Sequence, residues 1–307
     1  MMVERILHVA LLLLAPPLFV GVIQRVKALV AGRTGPPLLQ PYRDIARLLQ
    51  KGAVYSRTTT WLFRAGPIVS LSAVVCAGLL VPLQSGAAPL GFLGDVIAFA
   101  ALFALARFAT LLAAMDTGSS FEGMGASREA TFAALTEPAL FLGLAVVCIP
   151  AGSPSFEAAW ARLPWATWGA AHPAMLAAAG ALFIYLLAEN ARIPVDDPAT
   201  HLELTMVHEV MVLDHGGPDL AFVLYGSAMK LFVVAALVIH VLLPVPAAGG
   251  WVGTAALLVG EILIAILVGV VESSVARLRL PRVPQFLIGA SVLAAIGLVA
   301  LFYRGGL

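Results

Sequence analysis

An all-α, polytopic integral membrane bundle of about eight transmembrane helices, with both termini outside, is the fold this sequence predicts. Three observations predict it. Of 307 residues, 61% are hydrophobic and 11% charged, with a mean hydropathy of +0.99. A soluble domain carries roughly 25% charged residues, so this chain cannot clothe a water-facing surface. Eight apolar runs, at approximately 6–29, 66–84, 92–115, 133–151, 172–189, 220–243, 252–272 and 285–303, approach the length that spans the hydrocarbon of a bilayer. The basic residues divide unevenly: thirteen, from Arg25 to Arg282, fall at connections on one side, against Arg5, Arg162 and Arg304 on the other. That bias makes the first side cytoplasmic, and a cell inner (cytoplasmic) membrane is the expected location.

Composition also excludes. A formal net charge of +1 points to no nucleic-acid partner. The two cysteines, Cys76 and Cys148, lie apart inside apolar runs and suggest packing rather than a metal site. The first run carries no small-residue cleavage site and reads as a retained span. No repeat is visible, and polar residues gather on one face, which disfavours a free-standing secondary transporter. The whole chain, 1–307, reads as a single membrane domain with cytoplasmic segments at about 30–65, 116–132, 190–219 and 273–284.

Taken in order, the first helix should kink at Pro16-Pro17. Gly35-Pro36-Pro37 then forces a turn, and from Pro41 the apolar residues Ile45, Leu48 and Leu49 alternate with Arg43, Asp44, Arg47 and Lys51. That pattern predicts a short amphipathic helix at the interface, either an anchor to anionic lipid or a docking platform. Arg107 lies deep in the third span. A mid-membrane arginine costs about 2.5–3.5 kcal/mol on insertion scales, so it must snorkel or pair with an acid such as Glu137. The glycines of 118–125 follow no strand and have no Walker lysine, so they form no phosphate cradle. Ser127 with Glu129 predicts the start of the next helix.

The third cytoplasmic segment carries most chemistry. Pro194 and Pro198 end the preceding helix, and Thr200 with Glu203 forms a capping box. The helix that follows should carry His201, Thr205, His208, Val212 and His215 on one face and end at Gly216-Gly217. A proton relay suits histidines beside glutamates. Their seven-residue spacing argues against zinc, and an ordinary wet helix face remains the alternative. Glu261, near the middle of the seventh span, should face the bundle interior and is a functional candidate by its position; Lys230 and His240 are weaker ones.

Three stretches resemble a known family: Gly35 to Asp44 (GPPLLQPYRD), Asp116 to Gly125 (DTGSSFEGMG) and Glu189 to Leu204 (ENARIPVDDPATHLEL). They look like the complex I subunit 1 family, and more narrowly its membrane-bound [NiFe]-hydrogenase branch, typified by formate hydrogenlyase and hydrogenase-4 membrane components. The likeness spans about 15–235. It implies a subunit that joins a peripheral redox arm, the hydrogenase large and small (iron–sulfur) subunits, to antiporter-like membrane subunits. Nickel–iron and iron–sulfur centres would lie in those partners, with none bound by this chain. By motif, Glu189, Arg192, Asp196 and Glu203 match best, with Glu137 as the acid after the second segment. The chain lacks the Gly-Pro-Asn-Arg segment of the complex I branch and has Gly226 and Ser227 where that branch has an acid; both departures favour the hydrogenase branch over a quinone site. The proton-path candidates are therefore Glu137, Glu189, Asp196, Glu203, His208, Glu209 and Glu261, with the cations Arg107 and Lys230. The docking candidates are Arg33, Gln40, Arg43, Asp44, Arg47, Asp116, Glu122, Arg128 and Arg192.

Overall fold

The computed structural model describes residues 2–84, 88–161, 172–197, 206–243 and 250–305, all of them helical or irregular, with no strand among the described residues. Among the described residues ten α-helices follow in order: α1 (Met2–Val30), α2 (Gln40–Leu49), α3 (Trp61–Gly78), α4 (Asp95–Asp116), α5 (Ser120–Ala151), α6 (Phe156–Ala161), α7 (His172–Glu189), α8 (Gly217–Leu242), α9 (Gly250–Ser274) and α10 (Val283–Gly305). Seven are long and apolar enough to cross a membrane, and α7 adds a shorter apolar helix. This is the multi-pass bundle that the sequence predicts.

Helix α8 is its axis. Every residue from Ala228 to Val241 is buried, as expected of a helix that is apolar all round and enclosed by others. Helices α1, α3, α7 and α9 pack against it, while α5, α7 and α10 pack against one another. Small residues bring the backbones close: a Cβ on Gly66 of α3 would stand 2.6 Å from the Ala113 Cβ of α4. The double proline in α1 withholds two N–H groups and frees the carbonyls of Leu12 and Leu13. The Tyr225 hydroxyl of α8 donates to the Leu13 carbonyl, and the Tyr42 hydroxyl of α2 donates to its neighbour Leu14. Thus α2, which buries none of its residues, is tied to the kink.

Two expected boundaries move. Helix α5 starts at Ser120 rather than near Ser127. Gly118 takes a φ of 70°, Ser119 is extended, and the Gly123 N–H already donates to the Ser119 carbonyl at 3.0 Å. Gly125 is helical and packs under the third segment, where a Cβ would meet Val210 Cγ1 at 2.3 Å. The second correction is the continuous helix from Thr200 to His215. Among its described residues, 206–208 are irregular and Glu209–Val212 winds as a 3-10 turn. The Val207 and His208 N–H groups donate to Asp196 Oδ2, at 3.1 and 3.2 Å, a side-chain bond that competes with helical pairing. Thr200, His201, Glu203 and Thr205 lie outside the described residues, and with them the capping box.

Candidate functional site

The three motif segments meet at one end of the bundle. Asp116, at the end of α4, accepts from the Thr60 N–H (2.6 Å), the Thr60 hydroxyl (2.8 Å) and the Phe63 N–H (3.2 Å), which holds the start of α3. Gly217, at φ 55°, abuts the first segment, where a Cβ would stand 2.7 Å from the Gly52 carbonyl oxygen. Arg128 donates to the Met206 carbonyl at 2.8 Å. Asp196 pairs with Arg277 at 2.9 Å and also takes the Asp197 N–H, so that its oxygens are committed to holding the third segment in place.

Beneath this junction lies a buried ionic network. Arg107 does not snorkel; it is 6% exposed and binds three acids. It donates to Glu137 at 2.6 Å and to Glu189, while Glu129 lies 3.6 Å from its Nε. Lys230 reaches the other oxygen of Glu189 at 3.2 Å, and His208 Nδ1 stands 3.2 Å from Glu129. Helices α4, α5, α7 and α8 and the third segment each contribute. Lys230, a weaker candidate from the sequence, is therefore an internal partner of the network. Glu137 is the outward end, with 39% of its side chain exposed beside a bundle that buries Glu189.

Three carboxylates face two cations here, leaving one negative charge that a protonated His208 would cancel. Burial favours the neutral ring of His208, but Glu129 outweighs it and holds the pKa above its usual value near 6.5.

Two spaces adjoin the network. The smaller, about 10 Å³, is lined by Glu129, Glu189, Asp196 and His208 among others, room for about one water. The larger, about 550 Å³, lies among α1, α2, α8 and the third segment, with Lys27, Asn190, Arg192, His208, Glu209 and Lys230 on its wall. Its size is that of a small-molecule site.

Other predicted residues separate. Glu261 is 2% exposed in α9 and lies apart from the network; neither oxygen has a hydrogen bond among the described residues. Glu209 sits in the 3-10 turn on the cavity wall, and Glu203 falls outside the described residues. Of the docking candidates, Arg33, Arg43 and Arg47 are exposed, while Gln40 and Asp44 are half-buried and bond each other at 2.7 Å. The other four are tied to partners within the chain. Asp116 caps α3 and Arg128 binds Met206. Glu122 is 1% exposed, accepting the Asp214 N–H at 3.2 Å, so it is corrected from surface to interior. Arg192 likewise turns to Glu272 at 3.2 Å. Glu272, which also binds Lys27 at 2.7 Å, was not among the sequence candidates, nor was Glu129. Among the described residues, no three of His, Cys, Asp and Glu converge as a metal site.

A family model described as NADH dehydrogenase matches residues 3–303. This chain belongs to the NADH dehydrogenase subunit 1 family. Within the family it is 31% identical to formate hydrogenlyase subunit 4 of Escherichia coli K12, over 92% of this chain and 94% of that protein. It is 35% identical to hydrogenase-4 component C of the same organism, over 76% of this chain and 73% of the relative. In fold, it resembles a chain of the membrane-bound sulfane sulfur reductase, an archaeal respiratory membrane complex, with a TM-score of 0.82 at 24% identity, covering 97% of this chain and 99% of that one. The network and the loop junction described above are thus features of a subunit 1 family member.

Proposed function

We propose that the chain is the membrane anchor and proton-coupling subunit of a complex I-like, membrane-bound [NiFe] hydrogenase of the formate hydrogenlyase type. The observation that carries this reading is the buried Arg107 network directly beneath the junction of the three motif segments. It reaches from the loop end, at His208, to the side of the bundle, at Glu137. Isolated charges are costly in an apolar bundle, so such a chain of acids and cations needs a function, and moving protons is the one it suits. The names of the two Escherichia coli relatives support the hydrogenase assignment.

In this reading the membrane is the inner membrane, and the basic bias turns the loop end to the cytoplasm and the termini outward. The exposed face of Arg33, Arg43 and Arg47 meets the large and small hydrogenase subunits, which hold the nickel–iron and iron–sulfur centres. Glu137 opens toward an antiporter-like neighbour. Glu189 carries protons within the network, and Asp196 positions the third segment. Glu261 is a separate proton-holding candidate.

The test uses the assembled complex in closed vesicles. Glu137→Gln and Glu189→Gln should each lower hydrogen-linked proton movement by about tenfold or more while the subunits still co-purify. Unchanged proton movement in both would sink the coupling role. A second reading, a quinone-linked respiratory NADH dehydrogenase subunit, is favoured by the 550 Å³ cavity and its polar inner wall. Inhibition by quinone-site ligands would support it.

A further inference from the structure

The third segment leans on a part of the chain that none of the three motif stretches contains, the connection between α9 and α10. Two ion pairs of opposite polarity join them. Arg192 of the third segment meets Glu272, near the end of α9, at 3.2 Å, and Asp196 meets Arg277 of the connection at 2.9 Å. The other alignment would set Arg192 against Arg277 and Asp196 against Glu272, like charge on like. Beside the pairs the Leu278 N–H donates to the Pro194 carbonyl at 2.9 Å. Val195 and Val207 pack with Val283 and Leu287 of α10, and Leu278 and Leu280 lie against the same cluster.

Asp196 passes this hold onward. Its Oδ1 meets Arg277 and accepts the Asp197 N–H, while Oδ2 accepts the Val207 and His208 N–H groups. His208 in turn stands 3.2 Å from Glu129 through Nδ1. The Asp196 side chain is 2% exposed. Without Arg277 its carboxylate would stay buried with no cation beside it, and it would turn toward water or take up a proton. Either change loosens its grip on the two N–H groups, and His208 leaves Glu129. We propose that Arg277 is a positioning residue of the buried network: through Asp196 it sets where His208 stands against Glu129. Its consequence for proton movement rests on the proton-coupling reading above, whereas the placement of His208 does not.

The experiment follows deuterium exchange at the ring carbon Cε1 of His208 against pH, by mass spectrometry of the purified complex, which reads that ring's own titration. The charged groups that face the ring are Glu129 of α5, Glu189 of α7 and Lys230 of α8, with Arg107 of α4 beside Glu129. Glu209 follows it in the chain, and Asp196 meets its backbone. Glu129 holds the wild-type midpoint above the ordinary value near 6.5. In Arg277→Met the midpoint should fall, because the ring leaves Glu129. Loss of a cation that acts only through space would raise it instead, so the sign separates positioning from bare electrostatics. Arg277→Lys, which keeps a cation for Asp196, should stay near wild type. In an Asp196→Asn background Arg277→Met should change the midpoint little, since the group it acts through is already altered. An unchanged or raised midpoint in Arg277→Met, an equal fall in Arg277→Lys, or a full further fall in the Asp196→Asn background would overturn the proposal.

A second arm needs no substitution. In the wild-type complex the amides of Leu278, Val207 and His208 should share one protection against hydrogen exchange, because a single opening releases all three. A Leu278 amide about tenfold or more less protected than the other two would show that their hold on Asp196 outlives the brace, and would overturn the proposal. The third arm measures proton movement in closed vesicles. Arg277→Met should slow it several-fold with the subunits still co-purifying, and Arg277→Lys should restore it. Unchanged movement beside a fallen midpoint would overturn the part of Arg277 in the network's function. The coupling reading fails separately, if the Glu137 and Glu189 variants behave as wild type.

Discussion

Arg107 is the side chain on which the buried site depends. Its guanidinium is nearly inaccessible and engages Glu137, Glu189 and Glu129. Removing one partner from a buried ionic cluster typically costs about 3–5 kcal/mol, because the remaining charges stay buried and unpaired. Arg107→Leu should therefore lower the thermal midpoint of the detergent-purified chain sharply. Arg107→Lys should recover only part of it, since an ammonium lacks the planar fork that reaches several acids. A wild-type melt for Arg107→Leu would contradict the network. The arginine was legible in the sequence as a misplaced charge, and so was its pairing with Glu137. Glu129 was not, because it was assigned to a helix start. A helix from Ser127 already holds both Glu129 and Glu137, but only the fold brings Arg107 and His208 to Glu129. Glu272 looked like an ordinary acid at a span boundary, and only the fold brings Lys27 and Arg192 to it.

At the scale of elements, the spans and the amphipathic α2 were readable because apolar length and 3.6-residue periodicity encode them directly. The connections were not, since long-range contacts decide them. The third segment had a good helical pattern, yet Asp196 captures the N–H groups of Val207 and His208. The second segment was expected to turn helical at Ser127, yet Gly123 and Gly125 already lie in α5, with Gly125 making room for Val210 and Val207. Gly125→Ala should destabilise this docking by about 1–3 kcal/mol. Limited proteolysis within 206–216 is the readout, and cleavage no faster than wild type would show that the contact is dispensable.

The pH dependence of the same segment follows from His208. A raised folded pKa means that the His208–Glu129 pair contributes fully below the unfolded value near 6.5, and that its contribution is lost as pH rises through the folded value. Amide exchange protection at Val207 to Met211, corrected for intrinsic rates, should fall across that window. In Glu129→Gln the fall should occur at lower pH.

Over the whole molecule, chemistry is gathered at one end of an apolar bundle. The exposed arginines, the held loops, the 550 Å³ cavity and the ionic network succeed one another from the surface inward. That one-sidedness was visible in the sequence as a charge bias, whereas the cavity was not, because it arises from α1, α2, α8 and the third segment meeting in space. The central claim is that this end docks a nickel–iron hydrogenase and couples it to proton movement. Its most direct test is gentle purification of the tagged chain from its native membrane, with subunit mass spectrometry and nickel analysis on the same sample. The account predicts stoichiometric nickel together with a hydrogenase-type large subunit and an iron–sulfur small subunit. Recovery with flavin and quinone-reducing activity but no nickel, or recovery of the chain alone in an intact membrane preparation, would contradict it.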